Sequence, residues 1–352
     1  MKVTLEDVSE KAGSNLAQKD IVDLEGDYPI YGASGYIGNV DFYHQDRAYI
    51  AVVKDGAGVG RTMYLPEKSS VIGTLQYIIP KENIVPKYLY YAIKNMHLEK
   101  YYMGAAIPHI YYKDYKHEVF ELPDQMEQLK IVDILDKTEE IIKTSSLLID
   151  ELDELIKSRF VEMFGTLDDP SQSFHRDKLK NICTKITDGK HGGCTAEEGT
   201  GRYFVGAREI YDDEVHYDTA PEINIAQFEK DYKRCNVEKG DFLIVNTGAT
   251  IGKSAIAIDE KAEYTLLQKS VALLKVKREL LNPVFLKWCY RINTKMYMVE
   301  SASAQPNLLL SKIKETEIYL PDIGLQNEFA DFVTFVDKLK VAYTYMERKC
   351  TL

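Results

Sequence analysis

The chain is written twice. Gly56-Ala57-Gly58-Val59-Gly60-Arg61 returns as Gly248-Ala249-Thr250-Ile251-Gly252-Lys253, and Ala106-Ile107-Pro108-His109-Ile110 returns as Ala304-Gln305-Pro306-Asn307-Leu308. The flanks keep the same order. Tyr28-Pro29-Ile30-Tyr31-Gly32-Ala33 matches Arg202-Tyr203-Phe204-Val205-Gly206-Ala207, and Leu122-Pro123 with Gln128 matches Leu320-Pro321 with Gln326. Each unit is far longer than a solenoid or propeller repeat, so the pattern is two copies of a domain. A length of 352 residues accommodates two such domains with connecting elements, each able to bury its own core. Two unlike copies at a set spacing can hold two unlike sites at a fixed distance.

Between the copies the composition changes. From Gln125 to Phe164 there is neither proline nor glycine, and Ile131, Leu135, Thr138, Ile142, Ser145, Ile149, Leu152, Ile156 and Met163 recur at steps of three and four. This is a heptad seam, and some 38 residues of helix make a rod of about 57 Å. A second stripe after the second copy (Phe329, Phe332, Val333, Val336, Leu339, Ala342, Met346) predicts another helix. Neither stripe can be left in water, so the two helices are expected to pack as a two-helix coiled coil. The boundaries that follow are a first domain at 1–124, a spacer helix at 125–165, a second domain at 166–321 and a distal helix at 322–352. The shorter helix cannot cover the longer one, which leaves Leu148, Leu152, Leu155 and Phe160 as a partly exposed docking stripe for another chain.

Charge narrows the function. The net charge is -11, which argues against contacts to phosphate, but residues 125–173 alone carry 12 acidic and 5 basic side chains. The second copy is nearly neutral, with 20 basic and 19 acidic residues over 174–300, whereas residues 1–124 hold 13 basic and 17 acidic. Lys185 with Lys190, Lys230 with Lys233 and Arg234, and Lys275 with Lys277 and Arg278 form local basic clusters. Nucleic-acid binding is therefore permitted. No apolar run approaches the ~20 residues of a membrane span, and Met1-Lys2-Val3-Thr4-Leu5-Glu6-Asp7 lacks a signal-peptide stretch, so a cytoplasmic protein without membrane contact is expected. Five scattered cysteines without a Cys-x-x-Cys pair fit that compartment and offer no zinc site.

The glycine motif is not a phosphate-binding loop. Three residues separate Gly248 from Gly252 where the nucleotide fingerprint needs four, and Arg61 replaces the lysine in the first copy. A tight turn between strands explains it better, with Lys54, Arg61, Asn246, Thr247 and Lys253 projecting from the rim towards phosphates or bases. Lys190 and His191 occupy an exposed polar loop. His109, Tyr111 and Lys113 in the first copy, and Gln305 and Asn307 in the second, bring base-reading and stacking groups to equivalent places. No paired nucleophile and base, no metal-ligand spacing and no Asn/Asp-Pro-Pro-aromatic methylation segment is present, so neither catalytic residues, metal nor cofactor are expected.

Taken in order, these motifs resemble the specificity subunit of type I restriction-modification systems. The likeness is carried by Ile186-Thr187-Asp188-Gly189-Lys190-His191, Gly248-Ala249-Thr250-Ile251-Gly252-Lys253, Gln305-Pro306-Asn307, and Leu-Pro with a following Gln before each long helix. It implies an α+β fold in which two similar globular target recognition domains are separated and followed by long conserved helices that pair as an antiparallel coiled coil. It further implies that double-stranded DNA is read as two half-sites, that methyltransferase subunits dock on the helices, and that restriction motor subunits join the assembled complex. Ser14-Asn15-Leu16-Ala17 stands where the second copy has Asp188-Gly189-Lys190-His191, a divergence two different half-sites would require. The alternatives are an interaction scaffold or anti-restriction adaptor without sequence-specific DNA binding, and an enzyme with a pocket between the domains.

Overall fold

The computed structural model describes residues 1–21, 24–104, 108–293 and 308–351. The chain divides into two compact units, Met1–Ile142 and Lys143–Leu352. In the first, β1 (Lys2–Thr4), α1 (Leu5–Val8), β2 (Ser9–Gly13), β3 (Tyr28–Gly32), β4 (Gly35–Val40) and β5 (Tyr49–Val53) come first. They are followed by β6 (Thr62–Leu65), β7 (Ser70–Val71), β8 (Leu75–Pro80), α2 (Pro86–Asn95), α3 (Tyr112–Tyr115), β9 (Val119–Glu121) and the long α4 (Gln125–Phe164), inside which the division falls. The second unit continues with β10 (His175–Lys178), α5 (Leu179–Ile182), β11 (Cys183–Asp188), β12 (Tyr203–Val205), β13 (Ile210–Tyr211), β14 (Glu214–Val215) and α6 (Ile225–Asp231). After these come β15 (Phe242–Val245), β16 (Ser254–Ile256), β17 (Thr265–Leu267), β18 (Val271–Val276), α7 (Pro283–Ile292), α8 (Leu310–Glu315), β19 (Glu317–Leu320) and α9 (Ile323–Thr351).

The duplication is visible strand by strand. Four-stranded antiparallel sheets run in the order β2-β8-β5-β6 and β11-β18-β15-β16, a parallel pair accompanies each (β3 with β7, β12 with β17), and an antiparallel pair closes each unit (β1 with β9, β10 with β19). Side chains alternate across each central sheet with the two-residue period of a strand. In β5, Ile50 and Val52 face α1 and α2, while Tyr49, Ala51 and Val53 face the β3, β4 and β7 layer. In β15, Phe242 and Ile244 join the helical core and Leu243 and Val245 the opposite one.

Both α2 and α7 begin with proline in the first turn, where the missing N–H is no loss. The repeated glutamine supplies what that first turn lacks. Gln128 Oε1 accepts from the N–H of Val85 at 2.8 Å and its amide donates to Pro123 O at 2.9 Å. Gln326 repeats this with the N–H of Asn282 at 2.9 Å, Pro321 O at 2.8 Å and Leu280 O at 3.0 Å. Both glutamines are buried and both pin the start of a long helix to the start of a domain helix.

The first part of α4 lies on α2, where Asp136 meets Lys87 at 2.7 Å and Glu139 meets Lys94 at 2.5 Å. Its second part pairs with α9, and the pairing is antiparallel: Ser146 bonds Glu347, Asp153 bonds Lys340 and Arg159 bonds Glu328. Between these polar links Ile156, Phe160 and Phe164 interlock with Phe329, Val333 and Val336 in the core of the second unit. Gly165, at φ +71°, ends α4, and a Cβ there would lie 2.3 Å from Asp169 O. Among the described residues no helix is long and apolar enough to cross a membrane.

Candidate nucleic-acid interface

The repeated glycine motif closes on its own strand. In the first unit the N–H of Gly60 donates to Val53 O (2.8 Å) and that of Val53 to Arg61 O (2.9 Å); in the second, Gly252 donates to Val245 O (2.9 Å) and Val245 to Lys253 O (2.8 Å). Gly60 has φ +86°, and a Cβ would come within 2.6 Å of the Glu99 nitrogen, so the position is glycine for both reasons. Neighbouring segments are bonded to this turn in the same way in each copy. Lys54 N donates to Thr74 O and Asn246 N to Ser270 O, both at 3.0 Å, while Ile110 N donates to Lys54 O and Leu308 N to Asn246 O. The residues that follow β7 and β17 are bonded back to β3 and β12 in the same way, Ile72 N to Tyr31 O and Gln268 N to Val205 O. One end of each central sheet thus collects the loops that carry most of the sequence motifs.

In the first unit this end presents a packed polar column. Asp55 forms a backbone bridge with His109, and its carboxylate bonds His109 Nδ1. The His109 ring lies 4.0 Å from the Tyr111 ring, and the Lys113 ammonium sits over the Tyr111 ring at 5.2 Å. Tyr111 and Lys113 are exposed and His109 is half-buried. Lys54 is half-buried and makes no ion pair among the described residues. Arg61 is exposed but donates to Ala33 O at 3.1 Å, tying the glycine turn to the β3–β4 hairpin tip.

The second unit differs from expectation at two residues. The Lys190 ammonium is paired with Asp231, which raises its pKa, so this cation is already neutralised. Asn246, which directly follows the fully buried strand β15, is buried with it and does not project from the rim. His191 is exposed as expected, but is held by Asp188 at 3.2 Å. Burial pushes the Asp188 carboxyl up, yet the hydrogen bonds from Arg234 and His191 outweigh it and hold it below the usual range. Thr247 is half-buried, and Lys253 is exposed without an ion pair among the described residues. Gln305 and Asn307 lie outside the described residues.

On α4, Leu148 and Leu152 are half-buried and Leu155 is 48% exposed, as is Leu147 at 54% about two turns earlier. Phe160, expected in the same stripe, is fully buried: stacked on Phe285 and edge-on to Phe329, it faces the core rather than a partner. Among the described residues no cluster of His, Cys, Asp or Glu is placed to hold a metal ion.

The family model described as type I restriction modification DNA specificity domain matches residues 1–154 and again 178–348. The chain belongs to that family. The fold of this specificity-domain chain is shared with the S subunit of a type I restriction-modification system from M. genitalium, at 18% identity, with 100% of this chain and 92% of that one covered and a TM-score of 0.66. A second similar structure comes from work on complex assembly and conformational transition of the type I R-M system (16% identity, 100% and 92% covered, TM-score 0.54). No curated protein matches the chain.

Sequence reasoning passed over Asp55 and Asp231, and placed Asp188 and Arg234 only within a motif string and a basic cluster. Arg234 was visible as part of a basic cluster, and it donates to the carbonyls of Asp188 and Gly189 as well as to the Asp188 carboxylate. Asp188 stood inside the Ile186–His191 string. Asp55 gave no signal, since an aspartate before glycine reads as a turn residue.

Proposed function

We propose that this chain is the DNA-specificity subunit of a type I restriction-modification complex, reading a split double-stranded target with one half per unit. Methyltransferase subunits dock on the helices, restriction motor subunits join through the assembled complex, and the chain itself catalyses nothing and needs no cofactor. It acts in the cytoplasm. The observation that carries the reading is a common backbone scaffold with unlike side chains: Asp55, His109 and Arg61 at the sheet end of one unit, Thr247, His191 and Lys253 at that of the other. Contacts to phosphate position a protein on DNA and side chains at base edges specify sequence, so two like scaffolds that carry different side chains suit two different half-sites. The test is methylome sequencing of cells carrying the chain with its methyltransferase partner. The expected result is a motif of two unlike halves around an unread stretch. A single continuous motif, or no sequence-specific methylation, overturns the proposal.

A further inference from the structure

We infer that Asp55 is a positioning residue that sets the hydrogen-bonding sense of His109, making the first unit select an amino-bearing base, adenine or cytosine, at one position of its half-site. This rests on the reading proposed above. An ionised carboxylate only accepts hydrogen bonds, so the ring nitrogen against it, Nδ1, carries the proton. In the neutral imidazole the other nitrogen, Nε2, is then an acceptor, and it has no partner among the described residues. The major-groove groups that donate to such an acceptor are adenine N6 and cytosine N4; guanine and thymine offer only acceptors there.

The arrangement is built to hold the ring still. The His109 backbone exchanges two hydrogen bonds with Met103, each 3.0 Å, and is flanked by bonds from Gly56 N to Pro108 O (2.9 Å) and Ile110 N to Lys54 O (3.0 Å). Tyr111 covers one side of the ring. Both side chains remain partly open, at 26% for His109 and 33% for Asp55. A ring fixed in backbone, rotamer and tautomer reads a base edge at less entropic cost than a free one. Thr247 occupies the place of Asp55 in the second copy, so the device belongs to one half-site.

The test uses the full chain assembled with its methyltransferase subunit, bound to duplex DNA randomised across both half-sites at mildly alkaline pH, with the retained pool sequenced. Asp55→Asn keeps the size of the side chain but can donate as well as accept, which releases the tautomer. The expected result is that the preference for adenine or cytosine over guanine or thymine, about tenfold in the parent, falls to about threefold or less at one position of one half. His109→Ala abolishes selection at that same position, and the double variant behaves as His109→Ala alone. An unchanged motif with Asp55→Asn, a change in the other half, or an even loss over all sequences overturns the inference. If Asp55→Asn does not accumulate, Asp55→Ser, whose hydroxyl also donates as well as accepts, decides: relaxed selection confined to that position supports the inference and an unchanged motif overturns it. A parent complex that retains no sequence at all defeats the underlying reading instead.

Discussion

Gln128 and Gln326 show how a single polar side chain can be repeated for a structural reason. Each satisfies the N–H that opens a domain helix and the carbonyl of a neighbouring proline, and each does so away from water. Removing the side chain leaves those groups desolvated and unmatched, a penalty of roughly 1–3 kcal/mol for each orphaned group. Gln326→Ala is therefore expected to destabilise the second unit by about 3 kcal/mol. The one tryptophan, Trp288, is buried on α7 against Phe329, so its fluorescence reports this unit during urea unfolding. A Trp288 transition that does not move to lower urea in Gln326→Ala would show that the amide is dispensable. Gln128→Ala, acting in the other unit, is expected to leave that transition in place.

At the scale of elements, the second part of α4 has one face towards the core and another towards solvent, and the two predict opposite phenotypes. Phe160→Ala opens a cavity among Phe164, Phe285 and Phe329 and is expected to cost about 3–5 kcal/mol in the same Trp288 transition. Leu155→Glu, on the exposed face, is expected to change stability by less than about 0.5 kcal/mol while removing co-purification with the methyltransferase subunit. Undiminished co-purification would take Leu155 out of the docking surface. The contrast also marks what was legible in the chain. The helix and its seam followed from spacing and the absence of Pro and Gly, and the duplicated domain followed from repeated landmarks. The facing of Phe160 did not, because a heptad pattern gives the spacing of apolar residues without saying that a domain core, as well as α9, will close over the last turns. The polar site was legible only as loops. Asn246 looked exposed because it borders a glycine turn, and Lys190 looked free because Asp231, its partner, lies 41 residues away in sequence.

At the scale of the molecule, the proposed reading of two half-sites requires a chain of net charge -11 to offer uncompensated cations to phosphate and to keep the two readings independent. Lys253, Lys269 and Arg208 in the second unit, like Arg47, Lys68 and Lys113 in the first, are exposed and make no ion pair among the described residues, so both units offer cations for phosphate anchoring. Lys253→Ala is expected to weaken binding of the assembled complex to every sequence alike and to reduce the salt slope by about one. Tyr111 and His191 are exposed at the motif-bearing sheet end of their own units, the first against the His109 ring and the second bonded to Asp188. Their alanine variants are expected to cost about 1–3 kcal/mol on the preferred target, Tyr111→Ala through one half-site and His191→Ala through the other. Sites that share no partner combine additively, so the double variant should lose the sum of the two within about 0.5 kcal/mol. The measurement is a binding titration of the four proteins on the parent target and on targets altered in one half at a time. A coupling above about 1 kcal/mol, or a single variant that relaxes both halves together, would mean that the copies read one joint site, and the duplication would then have to serve assembly rather than two separate readings.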